Sequence, residues 1–192
     1  MTRVTSVRER EPACPAVGKV TTRSAVAADS SFLLELYASA WQGELDPIGW
    51  SISGQRTFVI MQAQTREWRL IRRFQQLSRL TVCVDDQPAG RMLVSCTDTV
   101  IDLVDMCLLP AWRGRGIGTR LLKDLLDETA ALRIPVRVKV PKNSRVAASC
   151  AGLGFADPLD CGSDWMLTWT PTEPDPATHP RGGHRATTGV GG

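Results

Sequence analysis

The stretch Val100–Thr119, VIDLVDMCLLPAWRGRGIGT, limits what this chain can fold into more than any other. Its apolar first half suits a buried strand, and Pro110 ends that strand because proline brings no N–H to a sheet ladder. Arg113-Gly114-Arg115-Gly116-Ile117-Gly118 then runs directly into Leu121, Leu122, Leu125 and Leu126, which recur at helical spacing. A strand, a glycine turn and an amphipathic helix thus follow without a linker, the helix opening near Ile117 or Gly118. Glycines at a helix N-terminus let the backbone come close to a ligand, with free N–H groups and the positive dipole end facing it. A phosphate or diphosphate is the natural occupant, and Arg113 and Arg115 add charge beside it. The alternative for the hexapeptide by itself is a surface turn with two solvated arginines.

Two common phosphate loops are excluded. The P-loop needs Gly-x-x-x-x-Gly-Lys-Ser/Thr, whereas Gly114 is followed by Thr119 and Arg120. The dinucleotide fingerprint needs a third glycine where Thr119 stands. No acidic residue closes the next parallel strand either, since Val136–Val140 ends in Pro141-Lys142.

Upstream, Val17–Arg23 can form a strand, and Asp29 and Ser30 offer caps for a helix over Phe32–Ala40 with Phe32, Leu33, Leu36 and Tyr37 inward. Gly43–Pro47 breaks it. A second helix is predicted over Gln55–Phe74, with Phe58, Met61, Trp68 and Ile71 along one side. Trp41, Trp50, Phe58 and Trp68 read as core ahead of a ligand-pocket wall, because aromatics at helical spacing are more often packing residues. Leu80–Val84 and Ala89–Ser95 alternate as strands joined at Asp85-Asp86-Gln87, and Val100–Leu109 completes an antiparallel meander. Val136–Val140 follows a helix and is therefore expected parallel to Val100–Leu109. A short helix, Ser144–Ala151, leads through Gly152 to a hairpin from Phe155 returning over Trp165–Trp169. Residues 1–16 read as a disordered arm, 17–169 as one domain, and 170–192 as a disordered tail too poor in apolar residues to order itself.

Composition narrows the function. The net charge of +3 is too small to argue for nucleic acid. The arginines at 66, 69, 72, 73 and 79 read as a solvated helix face, with attraction for an anionic substrate as the alternative. No window approaches the roughly 18 apolar residues of a membrane span, and the N-terminus lacks a signal-peptide core. The 6 cysteines form no Cys-x-x-Cys pair, and His179 and His184 both fall in the tail, so no metal site is expected. Most cysteines lie in apolar runs, which suits reduced thiols packed in a cytoplasmic protein.

Arg113, Gly116 and Gly118 fill the fixed positions of Arg/Gln-x-x-Gly-x-Gly/Ala, the acyl-CoA loop of the GNAT superfamily of N-acyltransferases. Asn143-Ser144-Arg145 and Leu153-Gly154-Phe155 resemble the two ends of that family's Asn-x-Arg-Ala-x-x-Leu-Tyr-x-x-Leu-Gly-Phe segment. The resemblance spans about Val17 to Trp169. It implies an α/β (α+β) fold with a mixed, mostly antiparallel sheet of six to seven strands, a splayed parallel pair at the cofactor site, and helices on both faces. It also implies transfer of an acetyl group from acetyl-CoA to a primary amine of a small molecule or peptide, without metal, by direct attack in a ternary complex. A catalytically idle acyl-CoA-binding or protein-interaction module is the alternative, and a homodimer through the last strands is left open.

On that resemblance the main chain near Met106 and Leu108 holds the pantetheine arm, and the N–H groups of Arg113, Gly114, Arg115, Gly116, Ile117, Gly118 and Thr119 hold the diphosphate. Asn143 matches the asparagine that bonds the cofactor arm. The family's tyrosine acid is replaced by Cys150, which either protonates the departing thiolate or is a small buried residue. Asp105, in the Asp-x-x-Leu-Leu-Pro pattern, and Asp102 are the candidate bases, with a structural role as the alternative. Spacing along a regular strand puts Asp105 and Asp102 on opposite faces.

Overall fold

The computed structural model describes residues 18–41 and 49–171. The expected N-terminal arm, the break at Gly43–Pro47 and the tail beyond Pro171 lie outside those residues. The middle of the sheet is built by β2 (Leu77–Val84) and β3 (Gln87–Cys96), joined where Asp85 and Asp86 adopt positive φ of 48° and 65°. Such a two-residue turn matches the twist of the strands it connects, and Asp tolerates it better than most residues. β1 (Val20–Ser24) pairs with β2, and β4 (Ile101–Leu108) with β3, both antiparallel. β5 (Val136–Pro141) runs parallel to β4, and β7 (Asp164–Trp169) pairs antiparallel with both β5 and β6 (Ala156–Cys161). The seven strands lie in the order β1-β2-β3-β4-β5-β7-β6, and β4/β5 is the parallel pair among them, as the meander-then-crossover pattern predicts.

Helix α3 (Ile117–Leu132) crosses between the parallel strands. Its Ile117, Leu121, Leu122 and Leu126 pack on alternate residues of the sheet, among them Val82, Val94, Leu103 and Val138. Each of these buried aliphatic side chains contributes about 1.5–3 kcal/mol relative to exposure. Helix α4 (Arg145–Gly152) adds Cys150 to the same cluster and is capped by Ser144, whose hydroxyl accepts from the Ala147 N–H at 3.2 Å.

The opposite face is thinner. Helices α1 (Ser30–Ala38) and α2 (Ile52–Arg73) contribute Leu36 and Val59 as buried apolar residues, and the strands contribute Cys83 and Leu93. Asp29, expected to cap α1, makes no cap bond. Its buried carboxylate instead accepts from Arg23 Nη2 and Nη1 at 2.7 and 2.8 Å, from the Val26 N–H at 2.9 Å and from Thr81 Oγ1 at 3.0 Å. These donors, Arg23 first, hold the carboxyl far below the usual carboxylate range. They pin the entry of α1 to β1 and β2.

Helix α2 faces the other way from the sequence reading. Met61, Trp68 and Ile71 are 60%, 66% and 59% exposed, so their stripe is not core. The helix docks through Val59 and through ion pairs, Arg66 with Asp105 at 2.8 Å and Glu67 with Arg79 at 2.6 Å. Phe58 is partly covered, with Trp41 and Trp50 edge-on to it at 5.4 Å each.

Candidate active site

β4 and β5 pair only over Ile101–Leu103 against Val136–Val138. Beyond that point β4 stays on β3 and β5 stays on β7, and the two parallel strands part. A β-bulge sits at the divergence: Leu103 pairs with Val94 and Asp105 with Leu93, which leaves Val104 as the extra residue. The Leu109 N–H donates to the Ala89 carbonyl. By the alternation of an antiparallel ladder, the backbone groups of Leu108 and Met106 therefore face away from β3, into the gap beside β5. Their side chains pack on the α3 side, with Met106 Cε 3.5 Å from where a Cβ on Gly118 would stand.

The bulge also corrects the expectation for the two aspartates. An extra residue restores the parity that a spacing of three would break, so Asp102 and Asp105 both turn toward α2. Asp102 accepts from Arg137 at 2.9 and 3.0 Å and lines the same cleft as Arg66. Asp105 lies between two guanidiniums, with Arg66 Nη2 at 2.8 Å on one oxygen and Arg91 Nη2 and Nε at 2.8 and 2.9 Å on the other. Both of its oxygens are engaged, so the side chain clamps α2 to β3 and β4, the structural role that was the alternative to a base.

The glycine loop has the expected form. Gly114 and Gly116 have φ of 71° and 77°, the left-handed region that side chains with a Cβ disfavour, and a Cβ at either would have no atom within 4 Å. No side chain caps α3 and no acidic residue occupies its first turn. Its ladder starts with the Arg120 N–H on the Gly116 carbonyl at 3.0 Å. The N–H groups of Ile117, Gly118 and Thr119 precede that bond, next to the exposed residues Arg113, Gly114, Arg115 and Gly116. A diphosphate fits these donors. The arginines are used differently from the sequence reading. Arg113 Nε donates to the Leu108 carbonyl at 2.7 Å and its Nη2 to Ser39 Oγ at 3.4 Å, tying the loop to β4 and to the end of α1. Arg115 stacks over Trp112 at 5.2 Å.

Asn143 is exposed in the turn that leaves β5, at the end of the parted strands where the loop lies. Lys142, beside it, is engaged with Asp160 at 2.7 Å and over the Trp165 ring at 4.3 Å, and so belongs to the β6–β7 hairpin. Cys150 has no exposed surface and sits in the core under α4, where burial pushes its thiol up. That is the place of a packing residue, the second of the two sequence readings. Sequence reasoning missed Cys107, whose half-buried thiol is raised by burial and then by Asp105, with Arg113 acting against the shift. It also missed Arg91 and Arg66 as a clamp. The arginine run of α2 carried a signal for Arg66; nothing in the sequence marked the bulge that brings Asp105 to it.

A mostly antiparallel open sheet with one parted parallel pair, beside an uncapped glycine-led helix, is an architecture shared with solved acetyltransferases. The profile of the acetyltransferase (GNAT) family matches residues 33–155, and the chain belongs to that family. Comparison with curated protein sequences gave no match. Among solved structures, PaiA N-acetyltransferase from Thermoplasma acidophilum in complex with coenzyme A superposes with a TM-score of 0.58 at 19% identity, over 79% of this chain and 99% of that one. The ribosomal-protein-S18-alanine N-acetyltransferase of Escherichia coli gives 0.55 at 15%, over 84% and 99%. An acetyltransferase from Thermus thermophilus gives 0.58 at 15%, over 80% and 98%. At these identities the likeness is one of fold.

Proposed function

We propose that the chain is an acetyl-CoA-dependent N-acetyltransferase that passes the acetyl group directly to a primary amine in a ternary complex. The observation that carries this reading is the parting of β4 from β5 at Leu103, next to a helix whose first N–H groups are left without partners. Acetyl-CoA supplies the activated acyl group. The chain supplies shape and donors: N–H groups from Gly114 to Thr119 for the diphosphate, the Arg113 N–H being engaged with the Pro110 carbonyl at 3.2 Å, backbone groups of Met106 and the N–H of Leu108 for the extended arm, and Asn143 from the β5 side. Each charge-assisted hydrogen bond of the loop contributes on the order of 1.5–3 kcal/mol. Backbone N–H groups at the end of β4 also stand where a developing oxyanion needs donors.

Amide formation leaves one proton to be lost from nitrogen while the thiolate needs one. Proton transfer between them, direct or through water, balances the reaction without a side-chain acid. Cys150 then fills the core and Asp105 positions α2. Titration calorimetry with acetyl-CoA, followed by release of free thiol in the presence of primary amines, tests the proposal. Binding with amine-dependent thiol release supports it. Binding without release from any amine favours the idle acyl-CoA-binding module, and no binding refutes both of these readings.

A further inference from the structure

On the α2 side of the sheet a cleft of about 1040 Å³ runs between the helix and the strands. Its floor includes Leu103 and Val104, the residues at which β4 leaves β5, so it borders the gap that the acetyl-transfer reading assigns to the extended arm of acetyl-CoA. Its lining is cationic: Arg66, Arg69 and Arg73 from α2, and Arg137 and Lys139 from β5. Arg137 is paired with Asp102, Lys139 with Asp164, and Arg66 with Asp105, whose single charge it shares with Arg91. Arg69 and Arg73 have no carboxylate partner among the described residues, and Asp98 is the remaining acidic residue of the lining. Arg66 Nε is buried without a hydrogen-bond partner among the described residues, a donor left over in a guanidinium already in an ion pair. Residues 66, 69 and 73 stand at i, i+3 and i+7 of one helix, where like charges repel unless an anion lies between them.

We infer that the acceptor amine also carries an anionic group, a carboxylate or a phosphate, gripped by Arg69 and Arg73 while its amine reaches the gap beside Val104. This rests on the acetyl-transfer reading above and names the substrate class for the same site. Planar guanidiniums bind carboxylate and phosphate oxygens in pairs, which orients the acceptor as well as attracting it. A polyamine or aminoglycoside meets repulsion in the same cleft.

The test measures kcat/KM by thiol release for matched amines, in the holo-competent full chain. One arm sets β-alanine against β-alaninamide. The other sets phosphoethanolamine against ethanolamine and glucosamine 6-phosphate against glucosamine. Spermidine and kanamycin serve as polycations. In at least one arm the anionic member is expected to exceed its neutral parent about tenfold or more, and the arm in which this happens identifies carboxylate or phosphate. The double variant R69E/R73E is expected to abolish that preference with the KM for acetyl-CoA unchanged, and R69Q/R73Q to reduce it, with thermal midpoints confirming that both fold. Preference for neutral or polycationic amines overturns the inference. So does absence of turnover with every anionic amine when calorimetry shows acetyl-CoA bound. Absence of acetyl-CoA binding overturns the functional reading itself, and this inference with it.

Discussion

Replacing Gly116 separates two duties that the glycine loop performs at once. At φ 77° and ψ −1° the residue is left-handed, and a Cβ there meets no atom within 4 Å. Gly116→Ala therefore has no clash to relieve; its cost is the left-handed backbone alone, about 1–2 kcal/mol for an L-residue. For a domain of this size that lowers the thermal midpoint by about 2–4 °C per kcal/mol. Gly116→Asn tolerates the same conformation and is expected to lose less. Binding is expected to order the variants differently. Either side chain projects into the open space beside the N–H groups of Ile117 to Thr119, where the diphosphate is proposed to bind, and asparagine is the larger. Loss of a single charge-assisted bond, about 1.5 kcal/mol, weakens binding roughly tenfold. Differential scanning calorimetry and acetyl-CoA titration on the same preparations give both orders. The reasoning is refuted if Gly116→Asn binds acetyl-CoA as tightly as the unaltered chain, because the diphosphate then does not lie over Gly116.

Cys150→Ala should destabilise by about 1 kcal/mol, from lost burial and a small cavity, and leave the alkaline limb of the kcat profile in place; a shift of that limb would return Cys150 to the role of acid. Leu36, 1% exposed beneath α1, is expected to lose about 2–5 kcal/mol on truncation to Ala, read by urea unfolding. The Asp29 carboxyl is depressed in the folded state, chiefly by Arg23, so its stabilisation is full above the ordinary carboxylate range and disappears as pH falls through the folded value. Asp29→Asn should thus be less stable than the parent at pH 7, with the gap closing toward pH 2 in parallel thermal melts; a gap independent of pH would sink the linkage.

The half of the chain after Leu77 was legible because its signals are local. Period-two alternation, Asp85-Asp86 at the hairpin, Pro110 at a strand end and leucines at helical spacing each fix an element before any tertiary contact is considered. The loop was legible for the same reason, since left-handed glycines before a leucine-rich helix need no partner to be read. Helix α2 was found but turned the wrong way, because its apolar stripe of Met61, Trp68 and Ile71 outweighs the single buried Val59 in any periodicity argument. What orients the helix is charge, Arg66 to Asp105 and Glu67 to Arg79, and ion pairing across long sequence separations leaves no periodic trace. Asp29 failed as a cap for a related reason: Arg23 and Thr81, the latter 52 residues away, compete for its oxygens and win.

The bulge at Val104 connects these failures to the chemistry. Without it, β4 would keep one alternation throughout, and Asp105 would share a face with Ile101 and Leu103 against the leucines of α3. There its carboxylate would be buried without a partner, at a cost of several kcal/mol. One extra residue turns Asp105 toward Arg66 and Arg91, returns Met106 to the apolar side against Gly118, and increases the local twist just where β4 parts from β5. The same residue therefore leaves the backbone groups of Met106 and Leu108 facing a gap and anchors the arginine-bearing helix over the cleft beside that gap. In this fold the gap between β4 and β5 and the docking of α2 beside it meet at a single irregularity in one strand.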